Sequence, residues 1–274
     1  MSERDAILDG TETANRADDG LALGTTIGGF YERIDDVAAW SPETGGFDFL
    51  EVTVGGDSTR LDAVPVERLA RELDAAGYDR TVHLPTTYPF AVPVPEARRA
   101  ALAYLDRGLE VAAGFGAEKA VAHASTEPHD PGDAPLLRET VTDLAARGED
   151  AGVELCVENV GHLDRGFGLE TVGEAVADAG ASLCLDVGHA YLEVGNDGLR
   201  EFLASYADLV SHVHVHDARE RGDSHVPLGA GELDPTAAAA VADAAPTVAV
   251  EVFTDDWPLL ADTARRFERA VTGE

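Results

Sequence analysis

The sequence predicts a single α/β domain folded as a (β/α)8, or TIM, barrel, and three observations point there. Short β-rich runs alternate eight times with longer stretches rich in Ala, Leu, Arg and Glu, the pattern of βα units feeding a parallel sheet. The chain has 274 residues, 45% of them hydrophobic, which suits one large core of the usual barrel size and leaves no room for a second full domain. His, Asp and Glu gather at the C-terminal ends of the β-rich runs, where such a barrel carries its chemistry. An open doubly wound sheet is the competing arrangement. No GxGxxG or Walker loop follows any strand, so the main signature of a nucleotide fold is missing.

Residues 1–19 are polar and acidic without periodicity and predict a disordered tail, leaving 20–274 for the barrel. The predicted strands are LALGTTIG (21–28), FDFLEVTV (47–54), TVHLP (81–85), KAVAHAS (119–125), VELCVENV (153–160), SLCLDVGH (182–189), LVSHVHVHD (209–217) and TVAVEVF (247–253). Each is a short run dominated by apolar, β-branched or aromatic residues. Helices are predicted near 32–40, 65–76, 96–114, 134–150, 169–179, 197–207, 235–244 and 257–270, where strong helix formers fill longer stretches.

Asp and Glu number 52 against 20 Lys and Arg, a net charge of −32, and Lys119 is the sole lysine. Such a surface resembles that of halophilic proteins, in which acidity maintains solubility. It repels nucleic acid at low salt, and at high salt counterion release adds little affinity, so a nucleic-acid partner is disfavoured. No apolar run of about 18 residues could span a bilayer. The N-terminus is acidic where a signal peptide is basic and then apolar, so a cytoplasmic protein is expected. Cys156 and Cys184 stand 28 positions apart inside apolar strands, matching neither a zinc knuckle nor a redox pair, and read as reduced core residues.

His83 closes the third strand, His123 nears the end of the fourth, and Glu158 that of the fifth. Asp186 and His189 end the sixth, and His212, His214 and His216 line the seventh. Glu251 lies in the eighth, and the loop after the seventh adds Asp223 and His225. Imidazole and carboxylate are ligands of Zn, Mn, Fe or Co, and several acids aimed into one mouth repel one another without a cation. Alternation puts the three seventh-strand histidines on one face. His214 is the expected ligand, His216 a substrate or supporting contact, and His212 a member of a lower layer. His129 and His162 fall in polar loops and are expected to face solvent.

These segments resemble the xylose isomerase-like barrels, a superfamily of sugar and sugar-phosphate isomerases and epimerases, inosose dehydratases and the endonuclease IV type of abasic-site nuclease. The resemblance rests on His83 in VHLP, His123 in VAHAS, Glu158 in VENV, LDVGH at 185–189, HVHVHD from His212, DSHVPLGAGELD from Asp223 and Glu251 in VEV. Ala230 departs from it, since PLGxG often carries Glu there. For the isomerases and epimerases it implies one divalent metal (Mn, Zn, Co or Mg) on Glu158, Asp186, His214 and Glu251. For the nuclease it implies a three-metal cluster that adds His83, His123, His189, Asp223 and His225.

The first mechanism is isomerisation or epimerisation of a carbohydrate or sugar phosphate through an enediolate. Glu158 and Glu251 act as acid and base, His189 is a further catalytic candidate, and His216, Arg219 and Arg221 are candidates for holding substrate oxygens. A Schiff base is disfavoured, because Lys119 opens the fourth strand at the opposite end of the barrel. The second is abasic-site phosphodiester hydrolysis by clustered metals. It uses the full ligand set but lacks a basic track beyond Arg219 and Arg221, so the sugar reading is preferred. A non-catalytic binding barrel is the third reading, and the sequence leaves a homo-oligomer open.

Overall fold

The computed structural model describes residues 21–27, 31–44, 46–55, 60–86, 88–127, 130–219 and 222–273. The expected N-terminal tail, His129 and Arg221 lie outside the described residues.

The strands, in chain order, are β1 (Ala22–Thr26), β2 (Phe49–Thr53), β3 (Asp79–His83), β4 (Lys119–His123), β5 (Glu154–Glu158), β6 (Ser182–Asp186), β7 (Val210–Val215), β8 (Asp217–Arg219), β9 (Gly222–Val226) and β10 (Thr247–Val250). Eight of them close a parallel barrel in the order β1-β10-β7-β6-β5-β4-β3-β2, while β8 and β9 form a separate antiparallel hairpin. The helices are α1 (Val66–Ala76), α2 (Pro95–Phe115), α3 (Ala134–Ala151), α4 (Leu169–Ala179), α5 (Val187–Tyr206), α6 (Pro235–Ala239) and α7 (Trp257–Thr272). The first connection is a 3-10 helix, Tyr31–Trp40, instead of a regular α-helix, and Trp40 stacks on Trp257 of α7 with ring centroids 6.3 Å apart.

Period-two alternation sorts each barrel strand into two environments. Leu50 and Val52, Ala120 and Ala122, Leu155 and Val157, Leu183 and Leu185, and Val213 and Val215 join the large core between sheet and helices. Val121, Cys156 and Cys184 form a second small cluster inside the barrel. Both cysteines are free and buried, as expected. Phe49 fills the lower interior against His212, with ring centroids 5.7 Å apart, and a side chain at Gly24 would collide with its ring. At the floor, Lys119 donates to the Ser211 carbonyl (2.6 Å) and to Thr247 Oγ1 (2.9 Å). Among the described residues no helix is long and apolar enough to cross a membrane.

Three expectations are corrected. The apolar run through His189 is not all strand: Asp186 ends β6 and caps α5, its Oδ1 accepting the His189 N–H at 2.7 Å, so the helix starts ten residues earlier than predicted. This helix is broken at Gly195, whose φ of 70° interrupts the helical path. The segment expected as a loop around Asp223 is the β8–β9 hairpin, and the helix expected at 235–244 is α6 followed by a 3-10 turn, Ala240–Asp243.

Candidate metal centre at the barrel mouth

Glu158, Asp186, His214 and Glu251 stand on β5, β6 and β7 and just past β10, four neighbours in the ring. His214 Nδ1 lies 3.0 Å from Glu251 Oε2, 3.6 Å from Glu158 Oε1 and 4.0 Å from Asp186 Oδ2. Metal–ligand bonds of about 2.0–2.3 Å place ligand atoms roughly 3–4 Å apart, so these spacings suit one ion. Each of those four atoms is buried without a hydrogen-bond partner. Buried polar atoms are normally satisfied, and four orphans sharing one centre fit the donor set of a cation site.

Two further groups flank this quartet. His83 Nε2 and His123 Nε2 each approach Glu158 Oε2 at 3.1 Å, so Glu158 belongs both to this group and to the quartet. On the other side His189, His216, Asp223 and His225 offer one ligand atom each within a common 4.8 Å. There Asp223 lies 3.4 Å from His189 Nε2 and 3.1 Å from His225 Nε2. His216, expected as a substrate or supporting contact, is buried, stacks on His225 at 3.8 Å, and puts Nε2 3.0 Å from Asp186 Oδ1. A side chain at Gly188 would strike its ring, which is why the turn into α5 carries no Cβ there. Arg219 spends its guanidinium on the Ala230 carbonyl (2.8 and 3.2 Å). His212 sits below the others, as expected, with Nδ1 2.8 Å from Thr247 Oγ1.

The expectation for His162 is overturned. Its side chain is 5% exposed, its ring stacks on His189 at 4.0 Å, and Nε2 lies 3.6 Å from Asp223 Oδ2, because the loop after β5 folds back over the mouth. Sequence reasoning also passed over Glu51, which is fully buried in β2. Its Oε1 lies 3.0 Å from His214 Nε2, its Oε2 lies 3.2 Å from His212 Nε2, and Thr81 Oγ1 donates to it at 3.2 Å. Asn159 was missed too. Its amide accepts from the Asp186 N–H (2.8 Å) and donates to the Asp186 carbonyl (3.1 Å), while its own carbonyl faces His189 Nδ1 at 3.0 Å. Asp217 shapes the rim, its buried carboxylate accepting backbone N–H groups of Ala218, Gly229, Gly231 and Leu233 at 2.8–2.9 Å.

The electrostatics follow from this mixture. Burial disfavours ionisation of Glu158, yet His123 and His214 hold its carboxyl well below the usual range. Burial likewise opposes charge on Asp223, and His162, His189 and His225 outweigh it. Burial keeps His123 and His212 low, while His83 moves the other way: burial pushes it down, but Glu158 raises it to about 9. Asp223 similarly overcomes burial to raise His225 to about 9. Without a metal the carboxylates are therefore compensated by protonated imidazoles, positions a divalent cation can take over.

A 99-residue stretch is 28% identical to the uncharacterized protein MJ1614 of Methanocaldococcus jannaschii, covering 36% of this chain and 38% of that protein. The fold is similar to that of a D-tagatose 3-epimerase-like protein, with a TM-score of 0.72 and 17% identity over 92% of this chain and 99% of the other. It is also similar to endonuclease IV from Thermus thermophilus, with a TM-score of 0.67 and 18% identity over 92% and 100%. At these identities the two structures speak for the fold. Residues 42–271 match the family described as xylose isomerase-like TIM barrel, and with most of its length so matched the chain belongs to that family.

Proposed function

We propose that this chain is a metal-dependent isomerase or epimerase of a small carbohydrate or sugar phosphate. One observation carries the reading: the four orphaned atoms of Glu158, Asp186, His214 and Glu251 converge on one buried point at the barrel mouth. A divalent ion such as Mn, Zn, Co or Mg on these residues would polarise a carbonyl and its neighbouring hydroxyl and stabilise an enediolate. The two glutamates differ in access. The Glu251 side chain is 15% exposed, whereas Glu158 is 1% exposed and walled in by His83, His123 and His189. Glu251 is accordingly the group that takes and returns the substrate proton, and Glu158 holds the opposite side of the centre. His189, between Glu158 and Asp223, orients both carboxylates. The folds of the epimerase-like protein and the other sugar epimerases among the similar structures agree with a carbohydrate substrate.

The two flanking groups favour a second reading, phosphodiester hydrolysis by a multinuclear cluster, since proton transfer at one ion needs neither of them. The net charge of −32 and the engaged Arg219 weigh against a nucleic-acid backbone as substrate. The deciding experiment incubates ketoses, their phosphates and inososes with Mn²⁺ or Co²⁺ in multimolar salt and D₂O. Deuterium entering the substrate in wild type and not in Glu251→Gln supports the isomerase. Cleavage of an abasic-site duplex, with every sugar unlabelled and three ions per chain, replaces it with the hydrolase.

A further inference from the structure

The mouth rests on a buried polar chain that the proposed reaction does not use. From the floor upward, Lys119 Nζ donates to Thr247 Oγ1 (2.9 Å), Thr247 Oγ1 meets His212 Nδ1 (2.8 Å), His212 Nε2 meets Glu51 Oε2 (3.2 Å), and Glu51 Oε1 meets His214 Nε2 (3.0 Å). His214 turns its other nitrogen, Nδ1, toward the quartet. Lys119, Glu51, His212 and His214 are all buried inside a barrel otherwise filled by Phe49, Val121, Cys156 and Cys184. A charged pair carried this deep needs a role that repays its desolvation.

Counting protons along the chain gives it a direction. The contact between Glu51 Oε2 and His212 Nε2 needs a proton between them, and a neutral imidazole carrying it on Nε2 has its lone pair on Nδ1. The Thr247 hydroxyl, within reach of both the Ser211 carbonyl and His212 Nδ1, then turns to His212, because Lys119 already donates to the Ser211 carbonyl at 2.6 Å. With Thr81 donating to Oε2 as well, Glu51 accepts on both oxygens. His214 must therefore carry a proton on Nε2, and an ion at the quartet takes the place of the second proton that Nδ1 shares with Glu251, 3.0 Å away.

We infer that Glu51 is a positioning residue that fixes the His214 tautomer in which Nδ1 offers its lone pair to a metal ion, with Lys119, Thr247 and His212 holding Glu51 in that role. A carboxylate behind a ligating imidazole fixes ring orientation and raises ligand basicity. The inference rests on the quartet being a metal site and is independent of which reaction runs there. The rival occupant of the same contacts is an ion held by Cys184, His212 and His214, whose ligand atoms also cluster within 4.8 Å.

The test uses the full chain in high salt at fixed pH. Long-range ¹H–¹⁵N spectra of the Zn²⁺-loaded wild type should show His214 protonated on Nε2 with Nδ1 free of a proton, and a metal-loaded His214 protonated on Nδ1 overturns the inference without any variant. In Glu51→Gln the single amide oxygen cannot accept from both histidines, so Co²⁺ and Zn²⁺ affinity, measured by chelator competition, should fall about 10–100-fold. The visible Co²⁺ spectrum should change with it, and Glu51→Asp, which keeps the charge, should recover part of the affinity. If Glu51→Gln does not fold, Lys119→Met serves instead, with the His212 tautomer inverted and a smaller loss of affinity expected. Unchanged affinity and spectrum in a folded Glu51→Gln sink this inference alone. A near-ultraviolet sulfur-to-Co²⁺ band identifies the Cys184 ion and sinks it as well. A wild type that binds neither metal removes this inference together with the metal reading of the quartet.

Discussion

Asp217→Asn should be among the most damaging single-atom exchanges outside the metal-facing residues. The Asp217 carboxylate is fully buried and accepts two backbone N–H groups on each oxygen: Ala218 and Leu233 on Oδ1, Gly229 and Gly231 on Oδ2. Asparagine keeps one oxygen and turns an NH₂ toward the other two donors, so two bonds to a charged acceptor are lost whichever way the amide sits. Hydrogen bonds to charged groups contribute about 1.5–3 kcal/mol each, giving roughly 3–6 kcal/mol for the pair. Gly229, Ala230 and Glu232 are exposed, so water can take up part of the loss, and the low end, about 3 kcal/mol, is expected. Because the pair is buried, multimolar salt should not erase the effect. Guanidinium unfolding followed by circular dichroism measures it as a lower midpoint at unchanged slope. A variant within about 1 kcal/mol of wild type would refute the idea that this carboxylate holds the 227–233 loop.

Glu251→Gln should lower sugar isomerisation or deuterium exchange by about 10²–10⁴-fold while leaving the unfolding midpoint nearly unchanged, and steady-state kinetics beside a melt checks both halves. Gly188→Ala should cost about 1–3 kcal/mol, because the new methyl must displace the buried His216 ring; a crystal structure with the ring unmoved would contradict it. The metal-free protein should lose stability between about pH 6.5 and 9.5. His83 and His225, each raised to about 9 in the folded chain from an unfolded value of about 6.5, stabilise it fully below the unfolded value and lose that contribution as pH passes 9. The depressed carboxylates are ionised across that whole window and leave the slope to the histidines. Midpoints measured with a chelator should fall across the window and flatten when Zn²⁺ is supplied.

The barrel and most residues of the mouth were legible because period-two alternation couples sequence to facing. In HVHVHD the histidines share one parity and the valines the other, and that parity alone separates the interior from the helix-facing core. The same rule would have found Glu51: it shares parity with Phe49 and opposes Leu50 and Val52, but one carboxylate in an apolar run invites an exposed reading. The start of α5 was hidden because LDVGH is apolar enough to prolong a strand, and the helix begins there only through the Asp186 cap. The hairpin from Asp217 to Val226 carries turn-forming and charged residues, and its pairing depends on the rim. His162 left no local signal, since a loop has no periodicity and its contacts, His189 and Asp223 among them, lie far away in sequence across the mouth.

Glu158 belongs to two of the candidate metal groups through different oxygens, Oε2 toward His83 and His123 and Oε1 toward His214. Occupancy of the two groups is then thermodynamically linked through one side chain. Whatever factor an ion among His83, His123 and Glu158 applies to affinity at the quartet, an ion in the quartet must apply in return. A titration of this chain should therefore resist description by independent sites, and a substitution at Glu158 should abolish the linkage together with both sites, whereas one at His83 should leave the quartet with a simple isotherm.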